Sequence, residues 1–187
     1  MILAGDIGGT KTRLAVYLTN GKQRKPVEHK TFPSRNYPGL EEIIQEWLGK
    51  EPRSIRVACF GVAGPVIDGR CETTNLPWIV DSKKISKRFG IPSVSLLNDL
   101  QAMAYGVLHL GKEEFSVLNE GQPGPPGNKA VIAAGTGLGE AILFWNGEEY
   151  EISPSEGGHA DFAPRSPIEV RLLEYLWKQF PHLFCFP

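Results

Sequence analysis

The residues able to do chemistry gather in four short stretches. The first is Gly5-Asp6-Ile7-Gly8-Gly9-Thr10-Lys11-Thr12. Glycines let a backbone turn tightly and expose N–H groups to an anion. Thr10 and Thr12 add hydroxyl donors, and Asp6 could hold Mg2+, directly or through water, beside phosphates. The same stretch also reads as a plain hairpin turn that needs glycine for positive φ. The second stretch, Gly135-Thr136-Gly137-Leu138-Gly139, is spaced like a dinucleotide fingerprint but has Glu140 where the final glycine belongs. Two strands flank it and no helix opens after it, so a turn whose backbone approaches a sugar or phosphate is the better reading. The third is Asn98-Asp99, at the carboxyl end of a strand, where open α/β sheets bind ligands. Asp99 could cap the following helix, or it could accept the hydroxyl proton that a phosphoryl acceptor must lose. The fourth is Glu156-Gly157-Gly158-His159. Its two central glycines argue against a metal-binding helix. A carboxylate and an imidazole on a tight turn suit hydrogen bonds to sugar hydroxyls, although a polar surface turn would look the same.

The elements that must hold these stretches follow from periodicity. Ile2 to Ala4 and Arg13 to Leu18 read as the two strands of a hairpin around the first turn, and Val27 to Phe32 as a third strand. Leu40, Ile43, Ile44, Trp47 and Leu48 fall on one helical face, with Pro38 suiting the first turn. Ile55 to Val62 reads as a buried strand. Ser82 to Phe89 reads as a helix stopped by Gly90, Val94 to Leu97 as a strand and Asp99 to Leu108 as a helix. Residues 121–127 are too rich in Gly and Pro for regular structure. Ala130 to Ala134 and Ala141 to Trp145 flank the second glycine turn as strands. Ser166-Pro167-Ile168-Glu169 reads as a capping box, followed by an apolar face of Ile168, Leu172, Leu173 and Leu176. Alternating strands and helices give an α/β protein, and the opening hairpin makes its sheet mixed.

Composition narrows the function classes. The 187 residues are 41% hydrophobic and 22% charged with net charge −1. That balance gives no electrostatic reason to expect nucleic acid or an anionic membrane as partner. No run approaches the roughly 20 apolar residues that span a bilayer, and the first residues lack the basic flank of a signal peptide. Cys59, Cys71 and Cys185 are widely spaced and odd in number, which reads as reduced thiols in a cytoplasmic protein.

These stretches occur together with Gly61-Val62-Ala63-Gly64-Pro65-Val66, Thr74-Asn75-Leu76-Pro77-Trp78 and Ala160-Asp161-Phe162-Ala163-Pro164. In this order and spacing they resemble the bacterial glucokinase family over nearly the whole chain to about Lys178. The resemblance implies an actin-like, ribonuclease H-like ATPase fold, with two domains and an active site in the cleft between them. It implies ATP-dependent phosphorylation of glucose to glucose 6-phosphate, with ATP and Mg2+ as cofactors and a homodimer as a form of the full-length family. By position, Asp99 becomes the catalytic base, and Asn98, Gly137, Glu156 and His159 become glucose contacts. Asp6, Gly8, Gly9, Thr10, Lys11 and Thr12 become the first phosphate loop, with Gly135 and Thr136 as further nucleotide-side contacts. Residues 1–109 are expected to form a small α/β domain and 110–187 part of a larger one. The cysteine motif and helix-turn-helix of the related repressors are missing.

After Lys178 the reading departs from the family. Gln179-Phe180-Pro181-His182-Leu183-Phe184-Cys185-Phe186-Pro187 stands where the family continues with another glucose-binding glutamate and a Ser-Gly-rich turn. The expectation is a truncated, frameshifted or altered reading frame with an incomplete second domain. Two other functions stay open at this point: a kinase for another hexose, and an inactive sugar-binding fragment.

Overall fold

The computed structural model describes residues 1–19, 25–49, 54–122, 124–135 and 137–181. Its elements run β1 (Ile2–Ile7), β2 (Lys11–Tyr17), β3 (Glu28–Pro33), α1 (Leu40–Leu48), β4 (Val57–Val62), β5 (Val66–Ile67), β6 (Arg70–Glu72), β7 (Ile79–Asp81), α2 (Ser82–Phe89), β8 (Ser93–Asn98) and α3 (Asp99–Val107). β9 (Lys129–Ala134), β10 (Leu138–Trp145), β11 (Tyr150–Ser155) and α4 (Pro167–Gln179) follow. The chain divides into two compact units, Met1–Met103 and the residues from Ala104 onward. The division falls inside α3, ahead of the 109/110 boundary drawn from the sequence.

In the first unit the strand order is β3-β2-β1-β4-β8. β1, β2 and β3 are antiparallel neighbours, whereas β4 and β8 join in parallel, so the sheet is mixed. Period-2 alternation turns Leu3, Ile7, Leu14, Val16, Phe60 and Val62 to one face, all nearly without exposure. Against that face α1 lays Leu40, Ile43, Ile44 and Trp47, the i, i+3, i+4, i+7 stripe expected of it. Gly39 is the N-cap of α1, so Pro38 lies just outside the first turn rather than in it. α2 adds Ile85 to the same core. It starts where the Asp81 carboxylate accepts the N–H groups of Lys83 and Lys84 at 2.9 and 3.0 Å. It stops at Gly90, whose φ of 65° is the left-handed cap that glycine takes most cheaply.

One sheet is absent from the sequence reading. β5, β6 and β7 form a three-stranded antiparallel patch. Its first hairpin turns on Asp68-Gly69, both with positive φ (52° and 75°). Strands of two and three residues are too short to show alternation.

The second unit holds a meander in the order β11-β10-β9, with Ala141, Leu143 and Ile152 buried. α4 opens with Ser166 accepting the Glu169 N–H at 3.4 Å and Pro167 in its first turn. The Glu169 carboxylate accepts the Arg165 N–H at 2.5 Å, one residue earlier than a reciprocal capping box requires. Of the expected apolar face, Leu173 and Leu176 are half-buried and Ile168 and Leu172 exposed. Cys59 and Cys71 carry free thiols, and Cys185 lies outside the described residues. Among the described residues no helix is long and apolar enough to cross a membrane.

Candidate functional site

Sheet register brings two of the four stretches to one edge. Ile7 of β1 pairs with Val62 of β4, and Val62 pairs with Asn98 of β8. The turns that leave these strands, at Gly8-Gly9, Ala63-Gly64 and Asp99, therefore emerge side by side at the carboxyl edge of the parallel strands, where such sheets take ligands.

The first turn is closed by the Gly8 N–H donating to the Lys11 carbonyl at 3.0 Å. Neither Gly8 nor Gly9 is among the glycines of positive φ, which are Gly64, Gly69, Gly90 and Gly147. The hairpin explanation for these two glycines is therefore replaced by a steric one. A Cβ on Gly9 would lie 2.6 Å from the Asn75 Cβ, and one on Gly8 would lie 3.1 Å from the Lys11 carbonyl oxygen. Ser34, in a single 3-10 turn after β3, holds the turn from beneath. Its hydroxyl donates to the Gly8 carbonyl at 2.7 Å and its N–H to the Thr10 carbonyl at 3.0 Å. With its proton committed, it accepts from the Thr12 hydroxyl at 3.0 Å. Ser34 and Thr12 are both fully buried. Thr12, expected to offer its hydroxyl to a phosphate, instead faces the core and braces the turn. Thr10 and Lys11 are exposed. Asp6 is exposed and paired with Arg13 at 3.2 Å.

At the start of α3, the cap is Asn98 rather than Asp99 alone. Its Oδ1 accepts the N–H groups of Leu100 at 3.0 Å and Gln101 at 3.3 Å, and its Nδ2 donates to the Gly64 carbonyl at 3.1 Å. Asp99 Oδ1 shares the Leu100 N–H at 2.9 Å. Ala102 packs onto Gly61, where a Cβ would meet the alanine methyl at 3.1 Å, so the helix start sits directly on β4. Asp99 is half-buried, and its carboxyl titrates above the usual aspartate range. Burial is the main cause; the negative charge of Asp6 adds to it, against hydrogen bonds that lower it.

The other two stretches belong to the second unit. β9 and β10 pair antiparallel around 135–137, with the Gly135 N–H donating to the Gly137 carbonyl at 2.9 Å. A Cβ on Gly135 or Gly137 would meet nothing within 4 Å. Thr136 lies outside the described residues. Glu156 opens a 3-10 turn over Gly157–His159, closed by the His159 N–H donating to the Glu156 carbonyl at 3.0 Å. A Cβ on Gly158 would overlap the Leu138 backbone, and one on Gly157 would overlap the Glu140 carboxylate. Both glycines thus let the turn press onto β10. His159 Nε2 lies 3.6 Å from Glu156 Oε2, with both side chains mostly exposed. Among the described residues no group of three His, Cys, Asp or Glu side chains could hold a metal.

Ser34 is the functional neighbour that the sequence reading missed, because it lies 26 residues beyond the carbonyl it holds. A signal for Thr12 did exist, since it shares the parity of Leu14 and Val16.

Comparison with known proteins gives a consistent picture. The family model described as Glucokinase matches residues 3–185, past the Lys178 where the resemblance was drawn to end. The glucokinase of Nostoc punctiforme is 42% identical over 178 residues, covering 94% of this chain and 52% of that protein. That of Synechocystis sp. is 42% identical over 191 residues, covering 95% and 54%. Among solved structures, a glucokinase from an Antarctic psychrotroph superposes with a TM-score of 0.77 at 32% identity, covering 97% of this chain and 58% of that one. The Balamuthia mandrillaris glucokinase in complex with glucose gives 0.68 at 25%, covering 95% and 55%. A ROK family protein from Streptococcus pneumoniae, at 17% identity and a TM-score of 0.53, shares the fold. That fold is the actin-like, ribonuclease H-like ATPase α/β fold. The chain spans about half the length of the curated relatives it matches. With the family model matching residues 3–185, the chain belongs to the glucokinase family.

Proposed function

We propose that these residues serve the transfer of the γ-phosphoryl group of ATP to the 6-hydroxyl of glucose. The observation that carries this reading is the shared sheet edge, where a glycine turn braced by Ser34 lies beside the raised-pKa carboxylate of Asp99. In the reaction the sugar O6 forms a bond to the γ-phosphorus, the bridging P–O bond breaks, and ADP leaves. Asp99 takes the O6 proton on Oδ2, since Oδ1 already holds the Leu100 N–H. A carboxyl with a raised pKa is a better proton acceptor than an ordinary aspartate. The Gly9 and Thr10 N–H groups and the Thr10 hydroxyl face the phosphates, with Lys11 adding charge, while Gly8 shapes the turn through its bond to the Lys11 carbonyl. Mg2+ is bound in such sites by one or two carboxylates plus substrate phosphates, and the exposed Asp6 carboxylate beside the turn fits that role. The ion, when bound, neutralises phosphate charge.

For the sugar, Glu156 and His159 accept and donate at hydroxyl groups. Asn98 contributes its second Nδ2–H, because its Oδ1 already accepts two bonds. Gly137 presents open backbone to the sugar, and Gly135 lies on the phosphate side. The Balamuthia mandrillaris relative in complex with glucose supports a glucose site. Residues 1–109 then carry the phosphate turn and base, and 110–187 carry the remaining sugar contacts. Free thiols and ATP as substrate suit the cytoplasm.

The test is ADP formation by the purified protein with Mg-ATP and glucose, mannose or fructose, together with direct glucose binding. Glucose is expected to bind and to be the preferred acceptor. A preference for fructose, or no binding of glucose, overturns the assignment.

A further inference from the structure

The loop that touches the first glycine turn is fixed on both sides of one residue. Leu76 and Trp78 are buried. The Thr73 hydroxyl donates to the Leu76 carbonyl at 2.9 Å, and the Thr73 N–H donates to the Trp78 carbonyl at 3.1 Å. The Trp78 indole N–H reaches the Tyr37 carbonyl at 3.1 Å, and the Thr74 N–H reaches the Ala63 carbonyl at 3.4 Å. Asn75, held between these anchors, is exposed. Among the described residues its side chain forms no hydrogen bond. A turn asparagine usually bonds its own backbone two residues on, but here Thr73 does that work and leaves the carboxamide uncommitted. The Asn75 Cβ and Cγ lie 2.6 and 3.5 Å from where a Cβ on Gly9 would stand, so the carboxamide lies against the turn at Gly9.

We infer that Asn75 is a further substrate-contacting residue, whose Nδ2–H groups donate to the terminal phosphates of the nucleotide held at Gly8–Thr10. The inference rests on the reading of that turn as a phosphate site. A neutral amide supplies two donors in a fixed plane without adding charge, which suits an anion whose charge is met elsewhere. Glycine at position 9 then has a second use beyond backbone approach: it makes room for the residue that completes the cradle.

The test measures the affinity of the purified protein for Mg-ATP, for inorganic tripolyphosphate and for glucose, in the native protein and in Asn75→Asp and Asn75→Ala. Asn75→Asp keeps the shape but sets a carboxylate against the anion. It should weaken Mg-ATP and tripolyphosphate about ten-fold or more, the size expected for a lost hydrogen bond to a charged group. Asn75→Ala should weaken both by a smaller factor. Glucose affinity and the melting temperature should stay unchanged in each. Native affinity for both phosphate ligands in the two variants overturns the inference and leaves the phosphate turn standing. Weakened glucose binding alone also overturns it, by making Asn75 a sugar contact. Failure of the native protein to bind either phosphate ligand removes the turn assignment and the inference with it.

Discussion

A single carboxyl carries most of the proposed chemistry, and its environment makes opposite demands on stability and function. Asp99 is raised in pKa by burial first and by Asp6 second. A carboxyl whose folded pKa exceeds its unfolded value adds stability at low pH, and that contribution is lost as pH rises through the folded pKa. Once ionised, Asp99 therefore costs the fold. Asp99→Asn keeps an oxygen for the Leu100 N–H and should hold or raise the melting temperature at neutral pH, with any gain shrinking in acid. The same change should lower kcat by at least about 100-fold, the usual size of lost general-base catalysis. In the unaltered protein the acid limb of kcat/KM should lie above the ordinary aspartate range. Near-normal turnover in the variant would remove Asp99 from the role. For the sugar, Glu156→Ala and His159→Ala should each weaken glucose binding by about 0.5–1.5 kcal/mol, the net worth of a typical hydrogen bond. A chelator that abolished glucose binding would point to metal ligation instead.

At the scale of elements, the glycine turns are shaped by what lies against them. Ser34 links β3 to the first turn through the Gly8 and Thr10 carbonyls and the Thr12 hydroxyl. Ser34→Ala would leave a buried carbonyl and a buried hydroxyl short of partners, at a cost of about 1–3 kcal/mol. Thermal unfolding would register that loss, and an unchanged melting temperature would show that the turn holds without the serine. Much of this scale was legible beforehand. α1 announced itself by its stripe and α2 by the Gly90 that stops it, because helical periodicity and caps are local signals. The Glu156-to-His159 turn was legible as a turn, but the reason for its glycines was not, since Leu138 and Glu140 meet it through strand pairing. Gly9 is needed because of Asn75, and no short-range pattern predicts a contact across 66 positions. Thr12 has the residue type of a phosphate contact, but its place in the β2 alternation turns its hydroxyl to the core, where it meets Ser34. β5 to β7 escaped because such short strands carry no period.

Across the whole molecule, the two units are packed very differently. The first buries Leu3, Leu14, Phe32, Ile43, Phe60 and Ile85 in one continuous core. Among the described residues of the second, the buried apolar side chains are Ala104, Ala141, Leu143 and Ile152, and α4 buries none. Hydrophobic burial dominates the stability of a fold, so resistance to local opening should follow this contrast. The tryptophans report on it directly. Trp47 is 7% and Trp78 3% exposed, whereas Trp177 on α4 is 56% exposed. In the purified protein, acrylamide should quench the Trp177 emission readily, that of the half-buried Trp145 less, and that of Trp47 and Trp78 only on unfolding. Trp177→Phe should therefore remove the most readily quenched part of the fluorescence. Amides of β1 and β4 should exchange hydrogen slowly, at rates set by global unfolding. Those of β9 and β11, with exposed residues such as Ile132 beside them, should exchange faster. Equal protection in both sheets, or a shielded Trp177, would show that α4 and its neighbours are covered in solution by something beyond the contacts seen here.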